Sequence, residues 1–406
     1  MAGMDMAMMQ AHHFQQQHAA MQRQFSVGAP VERLPAGSIP AGSLIINDVF
    51  TPTNPTDKYS HGEMVNLTAQ RDGFKGNVFT HTSAVDMNRG MASSNAAQGF
   101  FKPNATPEET RANLSTVATH DALGLLQDQT KAIDIATASG AKNSALNMSL
   151  GGSIASTTEK LYWTAATAWD NKAKPEVRES GLTAAQNMAS AYGLSVDKLT
   201  STDPKISGPE RARLQSALMN GVNGALEGSP EVGKAKREYA TSVGRFESNR
   251  NSVVVASGNE GEILEAFRKD ASGNSPQNVP KNFNSNYLDT PEATMVGATR
   301  WNNGSKGLQE QIAGYSNVNS GVDVFASGSL SLENDQKADV HGTSFAAPRV
   351  AATMATLHKQ NPTLSSSQIE ALMRSSLTHQ LDNGNSSVSV LDYQKSSDFM
   401  VGRNPQ

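Results

Sequence analysis

The chain has 406 residues and no cysteine, and its 34 Lys plus Arg stand against 38 Asp plus Glu, a formal charge of −4. That length supports one large α/β domain with a sizeable core, while the missing thiols exclude disulfide scaffolds, Cys-ligated zinc, iron–sulfur clusters and cysteine nucleophiles. The acidic balance argues against a nucleic-acid partner, which asks for a basic excess, and no apolar run approaches the ~20 residues that span a bilayer.

Met1–Met21 is rich in Met, Gln, Ala and His, and Asp5 precedes any Lys or Arg. A Sec signal needs a basic start and an apolar stretch of roughly 7–15 residues, and neither is present. Such a segment cannot bury enough surface to offset its ordering entropy. Residues 1–40 therefore read as a disordered Met/Gln-rich segment and linker, with His12, His13 and His18 solvated rather than ligating. Pro-Ala-Gly-Ser occurs at Pro35–Ser38 and again at Pro40–Ser43, which marks a linker.

From Leu44 the chain alternates strand and helix patterns. Strands are predicted at Leu44–Phe50, Asn77–His81, Ala145–Leu150, Ser252–Ala256, Thr294–Ala298 and Val322–Ala326. Apolar runs such as Val253-Val254-Val255 suit strands buried on both faces. Thr110–Thr137 is helix-rich, and alternation of this kind predicts a mostly parallel sheet with helices on both faces. Residues 153–250 show few strand signals and much charge, which predicts a helical insertion. Within it Pro209 stands as a first helical residue, followed by Leu214, Leu218, Val222 and Leu226 on one face. After Pro362, Ser365 and Gln368 form a capping box ahead of Ile369, Leu372 and Met373.

Three motifs carry chemistry. In His341-Gly342-Thr343-Ser344-Phe345-Ala346-Ala347-Pro348-Arg349-Val350-Ala351, a Gly-Thr turn delivers Ser344 to the start of a helix of small residues. A serine there has a free backbone N–H and the positive end of the helix dipole, which suits a nucleophile whose product is an oxyanion. An ordinary N-cap serine does not account for the whole string. In Val253–Gly261 a buried strand ends in a glycine-rich turn that presents the Asn259 amide, although Asn in such turns is common. In Ile45-Ile46-Asn47-Asp48 a strand ends in a carboxylate, and His61-Gly62 opens the next helix.

Together these motifs resemble the subtilisin-like serine proteases, the subtilase family, in which the order is Asp, His, Ser. The Ser344 string matches the family's serine motif at nearly every position, and Val253–Gly261 matches the strand and turn of its oxyanion asparagine. Asn147-Met148-Ser149-Leu150-Gly151-Gly152 looks like its substrate-binding strand, and Tyr315-Ser316-Asn317 resembles the segment before the serine. The resemblance covers about residues 41–406 and implies a subtilisin-like three-layer α/β fold interrupted by the insertion.

It also implies roles. Ser344 would attack the scissile carbonyl, His61 would carry the proton, and Asp48 would hold the imidazole tautomer. Asn259 and the Ser344 N–H would bind the oxyanion. Ser149, Leu150, Gly151 and Gly152, with Ser257 and Gly258 opposite, would receive an extended polypeptide as an added strand. No cofactor and no metal is implied. Rival assignments are Asp57 for the carboxylate and His81 or His120 for the base, and His341 is expected at the rim. The stretch ahead of Asp48 is too short for the prodomain of secreted members, so the expectation is a cytoplasmic enzyme or one exported without a Sec signal. Three classes stay open: a serine endopeptidase, an inactive homologue that binds peptides, and a scaffold whose helical insertion binds a protein partner.

Overall fold

The computed structural model describes residues 39–52, 59–83, 87–262, 279–304, 307–319, 321–332, 339–382 and 387–403. The reading of residues 1–38 and the rival Asp57 lie outside them. Ile39, ahead of the expected domain boundary at residue 41, is already buried.

The strands are β1 (Leu44–Asp48), β2 (Val78–Thr82), β3 (Ala145–Met148), β4 (Ser252–Ala256), β5 (Thr294–Gly304), β6 (Gly307–Ile312), β7 (Val324–Ser327), β8 (Ser329–Ser331), β9 (Asp339–His341), β10 (Thr378–Asp382) and β11 (Ser387–Leu391). Nine form one sheet in the order β10-β11-β7-β5-β4-β3-β1-β2, with β6 paired to β5. The pairings from β2 across to β11 are parallel, and only β10/β11 and β5/β6 are antiparallel. β8 and β9 form a separate antiparallel pair.

Parallel strands need both faces covered, and the side chains divide accordingly. Ile45, Leu146, Met148, Val253 and Val255 pack under the long helix Pro107–Ala138 and the helical stretch that follows β3. Leu44, Ile46, Ala145, Val254 and Ala256 pack against helices His61–Arg71 and Thr343–Gln360. The period of two therefore sends Asp48, in register with Leu44 and Ile46, to the face of these two helices. Asn47 goes to the opposite face, where its amide donates to Gln129 at 2.7 Å.

Residues 154–248 carry helices and no strand: Ile154–Ala166, Pro175–Tyr192, Val196–Leu199, Pro204–Glu227 and Pro230–Ser248, with a 3₁₀ turn at Thr167–Trp169. Leu214, Leu218 and Val222 are fully buried, and each such burial contributes roughly 1.5–3 kcal/mol. Pro209 is not the first residue of its helix. Asp203 caps it, Pro204 opens it and Pro209 lies inside. A proline there leaves the carbonyl of Lys205 without its helical donor, so the start is set by the Asp203 cap, whose side chain accepts from the Lys205 N–H at 2.9 Å. At the other end of the chain the Ser365–Gln368 capping box forms, at 3.3 and 2.9 Å.

Candidate active site

The carboxyl ends of β1, β3 and β4 meet the start of helix Thr343–Gln360 on one rim of the sheet, where parallel α/β sheets hold their ligands. Asp48 is the last residue of β1 and is fully buried. His61 is the first residue of its helix, whose cap is Ser60. Glu63 closes the capping box, accepting from the Ser60 N–H at 2.7 Å. The Gly62 N–H also donates to the Val49 carbonyl at 2.9 Å, which ties the helix start to the residues after Asp48.

His61 Nδ1 lies 2.7 Å from Asp48 Oδ1. The same oxygen accepts from the Val49 N–H at 2.6 Å, while Oδ2 is buried without a partner among the described residues. Burial works to lower the His61 pKa, but the Asp48 charge and hydrogen bond together outweigh it, so the imidazole titrates above its ordinary value. The ring packs on Phe345 with centroids 5.9 Å apart, beside the residue that follows Ser344.

Ser344 is fixed through Ser149. Its hydroxyl donates to the Ser149 carbonyl at 3.0 Å, and the Ser149 hydroxyl donates back to the Ser344 carbonyl at 2.9 Å. Pro348 explains the second bond. It has no N–H to give the carbonyl four residues earlier, and that carbonyl belongs to Ser344. Asn147 donates to the Ser149 hydroxyl at 2.9 Å and orients it. Among the described residues no hydrogen bond joins Ser344 to His61.

Asn259 is exposed at the end of the β4 turn. Its Oδ1 accepts from the Thr343 N–H at 2.9 Å and from the Thr343 hydroxyl at 3.1 Å. A backbone N–H can only donate, so the amide oxygen must face Thr343 and the NH₂ must point away. A Cβ placed on Gly342 would lie 3.4 Å from Asn259 Nδ2 and 3.7 Å from both Asn259 Oδ1 and the Ser344 nitrogen. Glycine at 342 therefore leaves that position open, within 4 Å of both nitrogens.

The turn itself depends on Gly258, whose φ is +106°. The Gly258 N–H donates to the Thr343 hydroxyl at 3.2 Å. Asn317 clamps the turn, donating to the Ser257 carbonyl at 2.9 Å and accepting from the Glu260 N–H at 3.1 Å. Burial pushes the Glu260 carboxyl up, against the opposing hydrogen bond from Asn317. Opposite, Ser149 is buried, and Leu150, Gly151 and Gly152 run on beyond the last β3–β4 pair, Met148 with Val255. Asn286 stands behind Gly151, so closely that a Cβ there would meet its amide.

The rival histidines lie elsewhere. His81 is buried and its Nδ1 lies 2.8 Å from Asn47 Oδ1, on the far face of the sheet. His120 belongs to helix Pro107–Ala138, in the opposite layer. His341 is exposed and shares a 2.9 Å hydrogen bond with Ser329. Sequence reasoning gave Ser149 a backbone role and missed its hydroxyl. Pro348, with the carbonyl it orphans, was the available signal. It also missed the clamping amide of Asn317, which only proximity reveals. Among the described residues no group of three or more His, Asp or Glu is arranged to hold a metal ion, and no helix is long and apolar enough to cross a membrane.

A family model described as the subtilase family matches residues 91–391. The chain belongs to the subtilase family. The matched span contains Ser149, Asn259 and Ser344 and begins after Asp48 and His61. The subtilase-type proteinase psp3 of Schizosaccharomyces pombe is 37% identical over 122 residues, 29% of this chain and 22% of the yeast protein. This subtilase chain thus aligns with only about a fifth of that relative's length. Among solved structures, a lanthipeptide protease is 13% identical with a TM-score of 0.40, covering 88% of this chain and 87% of its own. The nisin leader peptidase of Lactococcus lactis is 13% identical with a TM-score of 0.41, covering 91% and 89%. A cold-adapted subtilisin-like serine proteinase is 15% identical with a TM-score of 0.35, covering 87% and 90%. Scores at this level carry no argument, and the assignment stands on the family match.

Proposed function

We propose that this subtilase is a serine endopeptidase acting through Asp48, His61 and Ser344. The observation that carries the reading is the space over Gly342, with the Asn259 amide and the Ser344 nitrogen within 4 Å of it at the start of a helix. Two donors at a helix N-terminus suit the negative oxygen of a tetrahedral intermediate. Ser344 Oγ attacks the scissile carbonyl and passes its proton to His61 Nε2. His61 returns that proton to the leaving amine, and water repeats the cycle on the acyl-enzyme. Asp48 supports this by accepting from Nδ1, which leaves Nε2 as the basic nitrogen. The substrate is an extended polypeptide that pairs with the backbone of Ser149, Leu150 and Gly151 and faces Ser257 and Gly258.

A second reading has one observation in its favour. The Ser344 hydroxyl is donated to the Ser149 carbonyl rather than to His61, as suits an inactive homologue that keeps the peptide groove. Fluorophosphonate labelling separates the two. Labelling of the wild type, absent in Ser344→Ala and His61→Ala, is expected of the endopeptidase. A folded wild type that stays unlabelled would sink that reading and favour the peptide-binding one.

A further inference from the structure

We infer that Arg349 is a positioning residue for the proposed reaction, bracing the helix that carries His61 against the helix and hairpin that carry Ser344. The inference rests on the endopeptidase reading. Arg349 lies on helix Thr343–Gln360, five residues after Ser344, and it is 8% exposed. Its Nη1 donates to Oδ2 of Asp72, which is 3% exposed. Asp72 is the C-cap of the helix that His61 opens. One buried ion pair therefore joins the far end of the base's helix to the second turn of the nucleophile's helix, and the two helices pack against one another.

The other terminal nitrogen reaches a third element. Arg349 Nη2 donates to the Ser329 carbonyl at 2.9 Å. Ser329 is paired with His341 in the β8–β9 ladder, and the Gly342 N–H donates to the Gly328 carbonyl at 2.9 Å. This hairpin delivers the chain to Gly342 and Ser344. A planar guanidinium has the fixed fork that can hold two acceptors at a set angle, which a lysine ammonium cannot do. Tyr393 covers the outer side, its ring centroid 5.6 Å from the guanidinium carbon.

Stability gives a poor account of this arrangement. Arg349 Nε has no partner among the described residues, and burial pushes the Asp72 carboxyl up to about 6, against the charge of Arg349. A buried pair left incompletely satisfied is seldom a net source of stability, and apolar side chains of similar volume can replace it. What such side chains cannot supply is a directional link between Asp72 and Ser329. That link sets where His61 stands relative to Ser344, a distance on which proton transfer depends.

The test compares D72L/R349M and R349K with the wild type. Fold is checked by circular dichroism and thermal unfolding, and kcat, KM and the rate of fluorophosphonate inactivation are measured on a peptide that the wild type cleaves. In D72L/R349M we expect kcat and the inactivation rate to fall by about tenfold or more, with KM within about twofold, because misplacement of reacting groups acts on the chemical step. R349K keeps the charge but loses the fork, and its kcat should fall between the two. A purely structural pair would move the unfolding temperature and leave kcat alone. A folded D72L/R349M with wild-type kcat overturns the inference. Should that variant not fold, wild-type kcat in R349K overturns it instead. An inert wild type would overturn the endopeptidase reading and this inference with it, whereas an active wild type with unaffected variants overturns the inference alone.

Discussion

Ser344 and Asn259 sit in a mesh of hydrogen bonds, whereas Asp48 and His61 lean chiefly on one another. On the first side Ser149 and Ser344 exchange two bonds, Asn147 orients Ser149, and Thr343 holds both Asn259 and Gly258. On the second side one 2.7 Å contact links His61 and Asp48, Asp48 Oδ2 has no partner among the described residues, and the helix start is docked through the Val49 carbonyl. Ser344 and Asn259 are thus fixed by their own neighbourhood. His61 is placed by how its helix is seated, and that is where the proposed brace at Arg349 would act.

The largest effects should come from removing the reacting groups. Ser344→Ala and His61→Ala are each expected to lower kcat by on the order of 10⁶, a magnitude carried over from subtilisin. If His61→Ala retained most of the activity, the base would lie elsewhere. Asp48→Asn should cost about 10⁴, by analogy with the same change in chymotrypsin-like triads, read as kcat on a chromogenic peptide. Asn259→Ala should lower kcat by about 10²–10³ with little change in KM, again a subtilisin value. A rise in KM alone would instead make Asn259 a ground-state contact. Ser149→Ala leaves the Ser344 carbonyl without its donor and should destabilise the fold by about 1–3 kcal/mol in urea titrations.

The smallest effect is in the pH profile. The proposed reaction needs neutral His61, and its pKa is raised by Asp48 despite burial. Activity should therefore fall as pH drops through a midpoint above the ordinary imidazole value of about 6.5. Asp48→Asn should move that midpoint down, since the charge that raised it is gone. A midpoint unchanged in Asp48→Asn would show that the carboxylate does not act on His61.

Much of the fold was legible because its signals are local. Strands β1, β3 and β4 end within two residues of where their apolar runs end, and the Ser365–Gln368 box forms as its spacing requires. Pro209 misled because a favourable first-turn residue also occurs inside a helix when an earlier cap sets the start. At the site, the Ser344 string and the Asn259 turn could be read from contiguous residues. The bond from Ser149 to Ser344 spans 195 positions, and the pair Asp72–Arg349 spans 277.

By itself the sequence determined the parallel sheet, the helical stretch after β3 and the serine at a helix start, since periodicity, caps and small-residue runs act over a few residues. It also determined that Asp48 shares a face with Leu44 and Ile46, since alternation is local. Only the tertiary structure decided that His61, and not His81, meets Asp48, that Ser149 takes up the carbonyl Pro348 leaves free, and that Arg349 reaches Asp72. Those choices depend on which helix covers which face of the sheet, and buried polar groups then pair with whatever that packing brings within reach.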